Sequence, residues 1–181
     1  LLFRLTSPEN KGMKLDDLFI VPCIPMKVNP QVEMASSSYP VMVRIPCNPV
    51  LSLNVQTDGC LNPQFLTAVN LDFTGTTKLS DIASVTVMRG EEEPHVHHGE
   101  EPFPKDSSQV LGTVKLAGST RPQISVKGNM ELEPGDNYLW ACVTMKEGAS
   151  LDGRVVVRPA SLVAGNKLVK VANAAPVAQR I

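Results

Sequence analysis

The sequence predicts an all-β chain, an antiparallel β-sandwich of about eight or nine strands. Two observations carry that expectation. Apolar residues recur with period two in short stretches, the spacing that gives a strand one buried and one solvated face. Fifteen prolines and twelve glycines among 181 residues suit short strands joined by turns better than long helices.

The strands follow in order. Leu51, Leu53 and Val55 alternate with Ser52, Asn54 and Gln56. Phe65, Val69, Leu71 and Phe73 share one parity, with Asn70 and Asp72 on the other. Residues 83–88, 110–116 and 123–127 predict three further short strands. Residues 138–145 are apolar at both parities, which predicts a central strand covered on each side. Tyr138 and Trp140 share a parity there and are expected in the core. Residues 155–157 and 167–171 complete the set. Between the strands, Glu133-Pro134-Gly135-Asp136 suits a type II turn, and Gly165-Asn166 suits a two-residue hairpin. Asp58-Gly59 and Thr74-Gly75 mark two more reversals. The one helical hint is a single turn at Leu79-Ser80-Asp81-Ile82, with the serine as its cap.

The flanks differ in character. Residues 1–40 are proline-punctuated and weakly patterned, with one candidate strand at Leu18-Phe19-Ile20-Val21. Residues 41–172 hold the expected sandwich, and residues 173–181 read as a linker of small, extended residues. A formal net charge of −1 argues against nucleic acid as a partner, because phosphate binding needs a basic surplus. The longest apolar stretch, residues 18–28, is interrupted by Pro22 and Pro25, so no membrane span is expected. Leu1-Leu2-Phe3-Arg4-Leu5 is too short for a signal core, and the chain reads as a piece of something longer. Cys23, Cys47, Cys60 and Cys142 contain no Cys-x-x-Cys pair, which argues against a zinc knuckle or a redox motif. Their spacing leaves open one or two disulfides, if the chain is exported, or buried reduced thiols.

The sequence nominates no catalytic, cofactor-binding or metal-ligating residues, and no cofactor is expected. All three histidines, His95, His97 and His98, lie among five glutamates in residues 91–101. On an extended segment, His95 and His97 could approach zinc together with a carboxylate. Pro94, Gly99 and Pro102 deny that segment a rigid frame, so a solvated acidic loop is the stronger reading. Asp16, Asp17, Asp72, Asp81, Asp106, Asp136 and Asp152 mostly fall at turns or strand ends, where carboxylates serve backbone. No Gly-x-Ser-x-Gly elbow is present, and cysteine nucleophiles lack an anchored base. Sugar-stacking platforms are scarce at 4% aromatic residues, with Tyr39 and Phe103 the best surface candidates.

Several blocks, in order, give the chain a relation. They are Lys78-Leu79-Ser80-Asp81-Ile82 feeding Ser84-Val85-Thr86-Val87-Met88, then Leu132-Glu133-Pro134-Gly135-Asp136-Asn137-Tyr138-Leu139-Trp140. Met145-Lys146-Glu147-Gly148-Ala149-Ser150-Leu151-Asp152 and Ala160-Ser161-Leu162 follow. Over residues 48–171 this series resembles the N-terminal accessory domain of bacterial BNR (Asp-box) repeat sialidases, the neuraminidases. The resemblance implies a noncatalytic domain of a bacterial exo-α-sialidase. It would assist removal of terminal sialic acids from glycoconjugates by glycan targeting or by bracing the catalytic propeller. The implied partners are that propeller, in the same chain, and sialylated or mucin-type glycans. The implied location is secreted, periplasmic or cell-surface. The alternative is a stand-alone secreted carbohydrate-binding or structural β-sandwich protein.

The tyrosine nucleophile, aspartic acid/base and arginine triad of such enzymes find no counterpart here. Val43-Arg44-Ile45-Pro46 imitates the aromatic-Arg-Ile-Pro segment that opens their catalytic domains, but no Ser-x-Asp-x-Gly-x-x-Trp box accompanies it. An edge strand with Arg44 outward, between inward Val43 and Ile45, is the expectation. Gln179-Arg180-Ile181 resembles the joint before the propeller.

Overall fold

The computed structural model describes residues 23–36, 40–90, 110–116, 118, 120–171 and 175–181. The candidate strand at residues 18–21, the histidines His95, His97 and His98, and the aromatics Tyr39 and Phe103 lie outside the described residues.

Among the described residues ten strands follow one another. They are β1 (Lys27–Ser36), β2 (Asn48–Asp58), β3 (Phe65–Asp72), β4 (Ile82–Arg89) and β5 (Val110–Lys115), then β6 (Gln123–Glu131), β7 (Gly135–Met145), β8 (Arg154–Ala164), β9 (Lys167–Lys170) and β10 (Val177–Arg180). One sheet runs β1-β2-β7-β4-β5. The other runs β10-β8-β3-β6, with β9 also on β8. All these pairings are antiparallel. Leu51, Leu53, Val85, Val87, Leu139 and Val143 from the first sheet meet Leu66, Val69, Leu71, Val126, Val155 and Leu162 from the second in one core. The predicted sandwich is therefore the observed fold.

Two strands lie in the segments assigned to the flanks. β1 pairs with β2 along most of its length, with a register shift between Val28 and Val32. Pro30 falls inside that shift, an arrangement that only an edge strand or bulge tolerates. Val28, Val32 and Met34 keep one parity across the shift and all face the core. β10, inside the supposed linker, pairs with residues 154–157 of β8. It presents Val177 and Ile181 to the core, and the buried Gln179 between them donates from Nε2 to the carbonyl of Val50 in the opposite sheet.

Three local expectations change. Phe65 is exposed, and its neighbour Leu66 is fully buried instead. A register shift between Leu66 and Ala68 reverses the strand's faces at that point. Ser80 does not cap the short 3₁₀ turn at Leu79–Asp81, which carries no side-chain cap bond. Its buried Asp81 binds outward, accepting from the Ser150 N–H at 3.0 Å. Trp140 is buried as expected, but on the face of β7 away from the main core. There it packs in a second cluster with Cys47, Met88 and Cys142. Tyr138, on the same face, is only half-buried.

The turns behave as read. Gly135 sits at φ 94, and Gly165 and Asn166 at φ 55 and 60, the paired positive angles of a type I′ hairpin. All four cysteines are oxidised. Cys23 joins Cys60 and Cys47 joins Cys142, with Cα separations of 5.4 and 5.1 Å, within the ordinary disulfide range. The reduced-thiol alternative falls, because the fold brings together residues that sequence alone cannot relate.

Candidate functional site

The polar residues that might have carried chemistry turn out to hold the scaffold. Asp72 accepts from the Thr74 hydroxyl at 2.6 Å and the Thr74 N–H at 2.9 Å. The Arg158 guanidinium donates to it from the neighbouring strand, Nε at 2.8 Å. The Thr74 hydroxyl first, then the Thr74 amide and Arg158, hold the Asp72 carboxyl below the usual carboxylate range. Asp136 is lowered too, by the side-chain amides of Asn54 and Gln56. Arg89 is ion-paired to Glu133. Among the described residues, Asp72, Asp81 and Asp136 are thus tied to hydroxyl, guanidinium, backbone or amide donors that hold the fold. Among the described residues no three His, Cys, Asp or Glu side chains gather as a metal site.

Two of the recurrent sequence blocks owe their form to these bonds. Asn137 closes the Pro134-Gly135 turn on itself, accepting from the Glu133 N–H at 2.8 Å and donating to the Glu133 carbonyl at 2.8 Å. Its amide also reaches Val55 O at 3.2 Å. Asp81 receives Ser150 through its side chain, and its carbonyl accepts from Lys146 N–H at 2.9 Å. The Leu79–Asp81 turn and the turn after β7 are thus one unit.

Arg44 is no edge-strand residue. It occupies a turn at φ 70 and is exposed. The buried Asn48 side chain clasps that turn, accepting from Met42 N–H at 2.7 Å and donating to the carbonyls of Met42 and Val143 at 2.9 and 3.1 Å. A side-chain amide takes the place of a paired strand, so no alternation of Val43 and Ile45 is required.

The concave surface with ligand-like character lies where β1 and β9, the edge strands of the two sheets, face each other. It is a groove of about 610 Å³, within the range of small-molecule sites. Met26, Val28 and Val169 supply apolar lining, and Lys27, Lys167 and Lys170 supply positive charge. Among the described residues no carboxylate lines it. The floor is rigid for a stated reason. The connection from β2 to β3 is tied to the start of β1 by the Cys23–Cys60 disulfide. Cys60 and Leu61 N–H both donate to Ile24 O, at 2.9 and 3.1 Å, and Met26 N–H donates to Leu61 O at 2.6 Å. Gln64 N–H donates to the Met26 sulfur, and Gly165 N–H reaches Phe65 O at 3.0 Å. These bonds fix the β8–β9 hairpin as the second wall. Sequence reading had named neither the groove nor its lysines. Its one legible signal was the Gly165-Asn166 turn, which places Lys167 at a hairpin tip.

The sequence model of a family described as the N-terminal domain of BNR-repeat neuraminidase matches residues 29–168. The chain belongs to that family. The match begins within β1, ahead of the blocks that carried the resemblance, so the bulged edge strand is part of the family's domain. Membership makes the chain an accessory domain to a sialidase catalytic domain and not itself the catalytic unit, in keeping with the scaffold roles of Asp72, Asp81 and Asp136. No curated protein matches the chain. Among solved structures, Hadza microbial sialidase Hz136 superposes with a TM-score of 0.61 at 17% identity, over 83% of this chain and 31% of that one. At that identity the likeness shows the fold alone, and the chain spans about a third of that sialidase's length.

Proposed function

We propose that the chain serves a secreted, periplasmic or cell-surface bacterial exo-α-sialidase by holding sialylated, mucin-type glycans near the catalytic propeller. The observation that carries this reading is the β1/β9 groove, with its apolar floor, three lysines and no carboxylate among the described residues. A terminal sialic acid offers a carboxylate for the lysines and an acetyl methyl group for Met26, Val28 and Val169. Weak binding suffices, because tethering raises the local substrate concentration without any tight single contact. Two disulfides accord with folding in an oxidising compartment.

Calorimetric titration with sialyllactose and with lactose tests the proposal. Saturable binding of the sialylated sugar alone, at millimolar affinity or tighter and weakening with added salt, is the expected result. Equal heats for both sugars, or none, would leave the groove without its assigned role.

A further inference from the structure

A second concavity, of about 590 Å³, lies at the end of β10 and includes Leu151, Gly153, Arg154, Arg180 and Ile181. Three features set it apart from ordinary surface. Arg154 and Arg180 are direct cross-strand partners in the β8–β10 ladder, and both are exposed. Like charges directly opposite one another destabilise a sheet. Among the described residues neither arginine has a salt-bridge partner, although Asp152 lines the same concavity. Leu151, on the rim, is 70% exposed, the most exposed of the large apolar side chains described. Ile181 is pinned here as well, its N–H donating to Gly153 O at 3.1 Å and its side chain packed against Gly153 and the core.

We propose that this concavity is the face on which the sialidase catalytic domain docks. A carboxylate-bearing surface on that domain pairs with Arg154 and Arg180 and covers Leu151. The inference rests on the reading above that a catalytic domain is the working partner, and it adds where and by what chemistry the two meet. The charge pattern selects the occupant's chemistry. Two opposed guanidiniums are best relieved by carboxylates, which they grip in bidentate fashion, while the exposed leucine calls for an apolar contact at the same place. The lysine groove lies at the other end of β8, against residues 161–164, and stays free for glycan.

The test uses the full-length protein encoded by the gene that contains this chain. Arg154→Glu with Arg180→Glu, and separately Leu151→Ser, are compared with Lys167→Glu plus Lys170→Glu on the groove. Limited proteolysis at the interdomain junction and small-angle scattering report docking, and turnover of a small aryl sialoside reports the catalytic domain. The arginine and leucine variants should be cleaved about tenfold faster at the junction and should scatter as a more extended particle, with unchanged turnover. The lysine variant should match the parent in cleavage and scattering. Arg154→Gln with Arg180→Gln, which removes charge without reversing it, should show the same loosening and guards against a folding defect. Unchanged cleavage and scattering in an active enzyme overturn the docking face alone. Absence of sialoside turnover in the parent protein overturns the accessory reading together with it.

Discussion

The two edges of this sandwich are built on opposite principles. At one edge, β5 and β6 belong to different sheets yet bring their main chains into contact. A Cβ built on Gly128 would fall inside the carbonyl of Leu111, and one on Gly112 against the carbonyl of Lys127. Only glycine allows that approach. At the other edge, β1 and β9 bound a groove, stapled by Cys23–Cys60 and lined with lysine. The sealed edge hides strand backbone that would otherwise invite pairing with other chains. The open edge keeps its backbone geometry by covalent and hydrogen-bonded ties, and leaves room between them. On the unsealed side of a sandwich a ligand can enter without disturbing the core.

The largest expected effect comes from cutting the staple of the open edge. The two cysteines are 37 residues apart, for which the loop-entropy relation gives about 4 kcal/mol of stabilisation. Cys23→Ser with Cys60→Ser should therefore lower unfolding free energy by an amount of that order in a denaturant titration. It should also weaken sialyllactose binding, because the floor of the groove loses its tie to β1. Loss of stability with binding intact would show that the hydrogen bonds to Ile24 and Leu61 hold the floor unaided. Gly128→Ala attacks the sealed edge instead. Forcing a methyl group into the Leu111 carbonyl should cost about 1–3 kcal/mol, with sugar affinity unchanged. If that substitution weakened binding as much as the cysteine pair does, the two edges would be one mechanical unit and the contrast would fail.

How much of each edge was legible in the sequence follows from the range of the forces involved. β2 to β6 were legible because alternation is a local signature of a strand with one buried face, β7 because its run is apolar at both parities, and β8 only at the valines 155–157. β1 was not, since Pro30 reads as a break in a strand, and β10 was not, since its four residues owe their place to pairing with residues 154–157 rather than to their own pattern. Phe65 was assigned to the wrong face because one irregularity, between Leu66 and Ala68, shifts parity without leaving a mark in composition. The pairing of the cysteines and the gathering of Lys27 with Lys167 and Lys170 depend on which distant strands become neighbours, and period-two reasoning carries no such information. Arg44 shows the same limit in reverse. A strand-like run became a turn because one buried side chain, Asn48, met its backbone bonds in place of a neighbouring strand.

The next expected effect concerns binding rather than folding. Lys167→Met with Lys170→Met keeps the side-chain stems along the groove and removes two charges, so sialyllactose affinity should fall about tenfold. Both residues are exposed, and the denaturation midpoint should stay near that of the parent. A variant that binds as well as the parent would assign the open edge to some ligand without a carboxylate, or to none.

The smallest effect belongs to neither edge and so calibrates both. Asp72 lies within the second sheet, gripped by Thr74 and Arg158, and its carboxyl is held below the usual range. A carboxylate depressed in the folded state contributes stability that is fully present above its unfolded value of about 3.9. That contribution is lost as pH falls through the folded value. Asp72→Asn should accordingly lower stability at neutral pH, by less than about 1 kcal/mol because half-exposed Arg158 is screened by water. The gap between variant and parent should then close as the pH drops below the ordinary aspartate range. Urea titrations at pH 7 and at successively lower pH below the ordinary aspartate range follow that change. A gap that stayed constant through the whole acid range would mean that the charge of Asp72 adds nothing to the sheet. Because Asp72 touches neither the glycine contact nor the lysine groove, its acid dependence should be identical in the Gly128 and lysine variants. A change in that dependence on altering either edge would reveal coupling through β3 and β8, the strands that lie between them.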